Sequence, residues 1–231
     1  MPGPSRPEAP RVKGHVFVIA APSGTGKTTI CHRILERDPH LRLSVSHTTR
    51  EPRKGEVDGV DYHFVDRETF RELVESGAFL EHAEYNGNEY GTSWQAIEGP
   101  LETGEDVVLE IEVQGAAQVR ERLPEACLIF LLPPSLEVLA ERLRSRGTDD
   151  ETAIRHRLAL VDRELEAAGI FDYAIINDDL ERAVSEVLEV IHAVRAGETA
   201  VVDEKYGRAT VLARWNRHRG GASSRPVRHE A

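Results

Sequence analysis

The chain has 231 residues, 40% of them hydrophobic and 30% charged, with a formal net charge of −11. That length supports one sizeable α/β core with inserted pieces, or two small domains. No apolar run approaches the roughly 20 residues of a membrane-spanning helix, and the acidic balance argues against a general polyanion binder.

In chain order, residues 1–13 are Pro-rich and lack an apolar h-region, so they read as a disordered tail and not as a secretory signal. Residues 15–20 (HVFVIA) form an apolar, β-branched run that predicts a buried strand. A Gly-rich turn follows, then a helix over 27–37 with Ile30 and Ile34 at helical spacing. Residues 62–65 read as a short strand and 66–76 as an amphipathic helix presenting Phe70, Leu73 and Val74, stopped by Gly77. Two strands, 79–85 and 89–91, flank the turn signal Asn86-Gly87-Asn88. A helix over 93–102 is expected to be kinked or shortened by Gly99-Pro100.

Residues 106–112 (DVVLEIE) predict a strand, 114–122 a helix, and 127–132 (CLIFLL) a fully apolar strand closed by Pro133-Pro134. Ser135 is a hydroxyl cap for a helix to 145, and a long charged helix covers 150–168. Residues 173–176 read as a strand and 180–195 as an amphipathic helix. The alternation predicts an α/β fold whose mostly parallel sheet carries helices on both faces. The β-rich block 46–91 interrupts it and reads as an insertion. Cys31 and Cys127 match no metal spacing and fit free thiols in a reducing cytoplasm.

Ala21-Pro22-Ser23-Gly24-Thr25-Gly26-Lys27-Thr28 fits the Walker A phosphate loop except at its first position, where Ala21 replaces Gly. Gly24 and Gly26 let several backbone N–H groups converge on one phosphate, and the positive end of the next helix faces the same anion. Lys27 supplies a charge for the β- and γ-phosphates, and Thr28 a hydroxyl for Mg²⁺.

Together with residues 44–56 (SVSHTTREPRKGE), this loop resembles the guanylate kinase family. The resemblance runs from residue 15 to residue 195 and includes Tyr62-His63-Phe64, Phe79-Leu80-Glu81-His82-Ala83, Tyr90-Gly91-Thr92, 109–115 (LEIEVQG), Pro133-Pro134-Ser135, Arg146-Gly147-Thr148 and Asn177-Asp178-Asp179. It implies a P-loop NTPase core over 14–44, 96–135 and 167–196, a GMP-binding region over 45–95 and a helical lid over 136–166. It also implies transfer of the γ-phosphoryl group of ATP to GMP or dGMP in purine nucleotide synthesis and recycling. It further implies that Mg²⁺ accompanies ATP, with no tightly bound organic cofactor, and that the setting is the cytoplasm.

Residue by residue, the resemblance assigns ATP to Ala21, Pro22, Ser23, Gly24, Thr25, Gly26, Lys27, Thr28, Thr29, Arg142, Arg146 and Asn177. GMP falls to Ser46, Arg50, Arg53, Tyr62, Glu81, Tyr90, Gly91, Thr92 and Glu112, and the catalytic set is Lys27, Arg50, Arg142 and Arg157. Thr28 would hold the metal, with Glu110 a second candidate. The chemistry suits guanine, whose N1–H and N2–H donors want carboxylates and whose O6 wants a hydroxyl. Arginine forks suit a phosphate dianion. The chain departs from the family pattern in having Glu at 110 and 112, where Asp is common, and Thr at 92, where Ser is common.

Two other classes fit parts of this pattern. A non-catalytic, protein-binding relative tends to lose the phosphate loop, which Lys27 and Thr28 argue against. A sugar-phosphate kinase of the same lineage has no need of the set Ser46, Glu81, Thr92 and Glu112. Past residue 195 the match fades into a basic extension, 197–231, read as a partly disordered solvated terminus rather than a nucleic-acid contact, with Val201, Val202, Val211 and Leu212 able to dock part of it. Nothing in the sequence signals an oligomeric state.

Overall fold

The computed structural model describes residues 14–85, 87–145 and 151–221, without the side chains of residues 153, 156, 157, 162 and 218–221. In chain order these form β1 (Val16–Ala20), α1 (Lys27–Arg37), β2 (Leu41–Leu43), β3 (His47–Thr48), β4 (His63–Phe64), α2 (Arg67–Glu75), β5 (Phe79–Tyr85), β6 (Asn88–Ser93) and α3 (Trp94–Thr103). There follow β7 (Asp106–Glu110), α4 (Val113–Arg122), β8 (Cys127–Leu132), α5 (Leu136–Ser145), α6 (Glu151–Ala167), a 3-10 turn (Ala168–Ile170), β9 (Tyr173–Ile176), α7 (Leu180–Ala196), α8 (Ala200–Tyr206) and α9 (Arg208–Gly221). The 1–13 tail and residues 222–231 lie outside the described residues.

Every residue of β1 and of β8 is apolar and buried, which a strand tolerates only where helices cover both faces of its sheet. Both strands sit inside a five-stranded parallel sheet of order β2-β7-β1-β8-β9. Alternate residues then supply two cores. Val16, Val18 and Ala20 point to the layer of α3, α4 and α9, while Phe17 and Ile19 point to that of α1, α7 and α8. A second sheet, of order β4-β3-β6-β5, comes from the inserted block. The α/β architecture expected from the sequence is thus present, parallel sheet and flanking helices included.

Three readings need correction. Helix α3 is not shortened by Gly99-Pro100: it runs through Pro100 to Thr103, where a Gly cap and the Glu105 N–H, donating to the Pro100 carbonyl, finish the last turn. Strand β7 stops at Glu110, and Glu112 instead occupies the position before α4. Among the described residues, the segment after residue 196 is not solvated over its length. It forms α8 and α9, which bury Val202, Tyr206, Val211 and Trp215. Leu212 packs beside them, whereas Val201 is 59% exposed.

The end of α7 is tied to the sheet by a buried polar staple. Arg195 donates to Asp106 at 2.7 Å and to Asp38 at 2.9 Å, and both carboxylates also accept backbone N–H groups, from His15 and His40. Removing the guanidinium takes the cationic partner from two desolvated carboxylates, leaving Asp38 with His192 at 3.2 Å, so Arg195→Ala is expected to cost about 3 kcal/mol, at the low end because Arg195 is part-exposed. Thermal unfolding checks this, with a Tm roughly 5–10 °C lower.

Candidate active site

The loop after β1, Glu110 at the end of β7, Pro133 after β8 and Asn177 after β9 all lie at the carboxyl ends of parallel strands. This is where open α/β sheets bind ligands. Gly24 and Gly26 have φ of 93° and 100°, a left-handed region that only glycine enters freely. Asp66, Ser93 and Asp179 cap their helices with side chains, but Gly26 caps α1 without one, so the first N–H groups of α1 face the loop.

Neighbours hold the loop closely. Asn177, 5% exposed, donates through Nδ2 to the Thr25 carbonyl at 2.6 Å. A Cβ on Gly26 would stand 2.7 Å from that same nitrogen, and one on Gly24 would stand 2.9 Å from Leu143 of α5. Arg142, also on α5, donates to the Thr25 carbonyl at 3.3 Å and to the Asn177 carbonyl at 3.1 Å. The structure therefore brings together Lys27, Arg142 and Asn177 around the loop.

Lys27 donates to the Ile111 carbonyl at 2.8 Å and to Glu112 at 2.9 Å, with its side chain 13% exposed. Burial works against its charge, but Glu112 and Glu110 outweigh it and raise its pKa. Strand register sets Glu110 beside Ile19, two residues before the loop, and Glu110 accepts from the Thr28 hydroxyl at 2.5 Å.

Of the residues that the resemblance assigns to GMP, Glu81, Tyr90, Gly91 and Thr92 lie on the second sheet. Glu81, 3% exposed, accepts from both the Thr92 N–H at 2.9 Å and the Thr92 hydroxyl at 2.7 Å. The Ser46 hydroxyl lies 3.1 Å from that of Thr92. Burial pushes the Glu81 carboxyl up to about 7, against the Thr92 hydrogen bonds and the charges of Lys27 and Arg122. Gly91 crosses β5 so closely that a Cβ there would meet the Phe79 ring at 3.1 Å.

Arg50 is held by Glu56 at 2.8 Å and stands 5.5 Å from the Tyr62 ring and 5.8 Å from that of Phe64. Tyr62 meets Tyr90 edge-on at 6.0 Å. The Arg53 backbone N–H donates to Glu56 at 2.6 Å, and its side chain is exposed. Glu112 stands with Lys27 and not in the Glu81–Thr92–Ser46 cluster. Arg146 and the side chain of Arg157 lie outside the described residues.

Three site residues escaped the sequence reading. Glu56 organises both arginines, and its place in the Arg-rich stretch was the available signal. Gly115 of α4 makes room for Glu81, since a Cβ there would fall 2.2 Å from Oε2. Burial pushes Glu164 on α6 up to about 7, helped by Glu112 and opposed by Lys27, which places it within electrostatic reach of both. As one acid of many on a charged helix, it carried no signal.

Among the described residues no group of three or more His, Cys, Asp or Glu could hold a metal, and no helix is long and apolar enough to cross a membrane.

A glycine-turned phosphate loop leaving the central strand of a parallel sheet, with Lys27 at the head of the next helix, defines a P-loop nucleotide-binding protein. The family model described as guanylate kinase matches residues 13–194. The guanylate kinase of Neisseria gonorrhoeae is 52% identical over 183 residues, covering 79% of this chain and 89% of that protein. The guanylate kinase of Synechocystis is 50% identical over 185 residues, covering 80% and 97%. The crystal structure of guanylate kinase from Anaplasma phagocytophilum matches with a TM-score of 0.65 at 34% identity, over 79% of this chain and 86% of that one. The chain belongs to the guanylate kinase family, nucleoside monophosphate kinases.

Proposed function

We propose that this chain transfers the γ-phosphoryl group of ATP to GMP, and to dGMP, giving ADP and GDP (or dGDP) for purine nucleotide synthesis and GMP recycling. The observation that carries this reading is the Glu81 carboxylate, 3% exposed and held by Thr92 beside the Ser46 hydroxyl. A buried carboxylate is costly unless a ligand's donors meet it. Guanine offers N1–H and N2–H, which adenine lacks, and its O6 can accept from a hydroxyl.

In this mechanism the loop N–H groups and Lys27 cradle the donor phosphates, and Asn177 and Arg142 hold the loop. Arg50, Arg53, Tyr62 and Tyr90 grip the GMP phosphate, whose oxygen is the nucleophile. That oxygen is already ionised at neutral pH, so no general base is required. Glu112 is the second guanine acceptor and exchanges its Lys27 contact for the base. Helices α5 and α6 act as the lid, bringing Arg142, Arg146 and Arg157 to the donor phosphates and excluding water. Cations aimed at the moving group stabilise the charge spread over it in the transition state.

Thr28 and Glu110 present hard oxygen atoms only, which suits an Mg²⁺ completed by ATP phosphates and water. When bound, that ion neutralises charge on the phosphates. A cytoplasmic setting is part of the reading, supported by two free, buried cysteines. So is the absence of any nucleic-acid role for the basic segment, whose Trp215 faces the core.

A coupled ADP-release assay across GMP, dGMP, AMP, UMP and sugar phosphates tests the proposal. GMP is expected to exceed AMP in kcat/KM by about 10⁴-fold, because a base without the donors leaves the buried carboxylate unpaired. Preference for AMP would overturn it.

A further inference from the structure

Pro133 and Pro134 join β8 to α5, so whatever holds the Pro133 carbonyl sets the root from which α5 springs. That carbonyl accepts a hydrogen bond from the Trp215 indole N–H at 2.6 Å, wholly within the protein. Trp215 belongs to α9, beyond residue 194 where the family match ends.

The contact is part of a junction. Trp215 is 2% exposed and shares its core with Phe130, Leu132 and Phe171, and against that core pack Leu136 at the start of α5 and Leu165 near the end of α6. Both ends of the α5–α6 pair therefore pack on the same apolar core that Trp215 joins. Helix α9 is itself fixed to the sheet at its other end, the Arg208 N–H donating to the Asp172 carbonyl at 3.0 Å and Gly207 pairing with Tyr173. From Pro133 the chain passes to Ser135, which caps α5 by accepting the Val138 N–H at 3.2 Å, and on to Arg142, whose guanidinium holds the phosphate loop.

We infer that Trp215 is a positioning residue for phosphoryl transfer, acting as a clamp on the lid root that aims Arg142 at the donor phosphates. This rests on the reading of α5–α6 as the lid. The clamp does not touch the acceptor side, whose residues stand on the second sheet and at the start of α4, so donor and acceptor parameters should separate.

The test is steady-state kinetics of Trp215→Phe, which keeps an aromatic ring in the junction and removes the N–H donor. The assay temperature is well below the variant's own Tm. The expected result is a kcat lower by about 5–10-fold and a raised KM for ATP, with KM for GMP within about twofold of wild type. The loss should shrink in an Arg142→Lys background, since residues acting through one another are not additive. A merely structural role predicts a lowered Tm with both kinetic parameters unchanged, and that outcome, or full additivity with Arg142→Lys, overturns the clamp. Leu212→Ala, a gentler change on α9, is expected to give the same split at about 2–3-fold and keeps the inference testable should Trp215→Phe fail to fold. An unchanged kcat and KM for ATP in that variant likewise overturns it. If Arg142→Lys is itself as fast as wild type, the lid reading fails and the clamp with it; if Arg142→Lys is slow and Trp215→Phe is normal, only the clamp fails.

Discussion

Lys27→Ala is expected to lower kcat by about 10²–10³-fold or more while the protein stays folded. The ammonium sits at the head of α1, 2.9 Å from Glu112, in a loop whose backbone is already bent to face a phosphate. Its contribution to stability should be small, because the pair it makes is half solvated on the Glu112 side, at 32% exposed. Such pairs are worth about 1 kcal/mol or less. Its contribution to the reaction should be large, because charge accumulates on the transferring group when water is excluded. Lys27→Arg should not rescue the rate. The fork is bulkier than an ammonium and cannot follow the phosphates as a point charge, and Glu112 and the Ile111 carbonyl crowd the position. A coupled assay for kcat, beside a Tm within about 3 °C of wild type, checks both halves of the claim. Near-normal turnover in Lys27→Ala would remove the phosphate loop from the chemistry.

Much of this architecture could be read from residue order, for reasons that differ by element. Strands β1 and β8 announced themselves because burial on both faces leaves no room for polar residues, so the run is apolar throughout. The phosphate loop was legible because left-handed backbone demands glycine, and Gly24 and Gly26 both adopt it. Strands β2 and β3 were missed because three and two residues carry no periodicity, and their pairing is decided by β7, β6 and β4 elsewhere in the chain. Helix α9 was missed for another reason. Val211 and Trp215 are its buried contacts, set among Arg208, Arg214 and Arg217, so the local composition resembles a solvated basic tail. The apolar core it meets beside β9 makes it a packed helix. In the candidate site, residue types could be read from the sequence, but the contacts between them could not. Glu112 follows an alternating strand pattern in sequence, yet β7 ends two residues earlier and turns that carboxylate toward Lys27. Gly115 matters only because the Glu81 carboxylate passes 2.2 Å from where its Cβ would be, which no local pattern encodes.

Glu81→Gln is expected to cost about 10³-fold or more in kcat/KM for GMP and little in kcat/KM for ATP, because a buried acceptor set that reads donors cannot tolerate an added donor. The amide keeps the volume but presents one acceptor and an NH₂ group, which would face guanine N1–H or N2–H with a donor against a donor. The same carboxyl makes a pH prediction of defined sign. Burial holds Glu81 up at about 7, so a substantial fraction is protonated at neutral pH. Only the ionised form accepts from both guanine donors, and kcat/KM for GMP should therefore rise with pH through about 7. The GMP phosphate adds a second rise near 6, as for other phosphomonoesters, and only the higher step should vanish in Glu81→Gln.

Stability runs in the opposite direction. A carboxyl whose folded pKa is raised contributes stability that is fully present below the unfolded value and is lost as pH rises through the folded one. In wild type that loss falls between the ordinary carboxylate range and about pH 7, and amounts to up to about 3 kcal/mol. Glu81→Gln has no such slope, so its stability relative to wild type should increase from pH 5 to pH 8 while its use of GMP collapses. Parallel melting curves and GMP kinetics across that range test the two trends together. A wild-type carboxyl that titrates near its ordinary value would show neither. On the proposed reading the opposed slopes share one cause: a buried Glu81 carboxylate is matched by a ligand's donors and is unfavourable in the free protein.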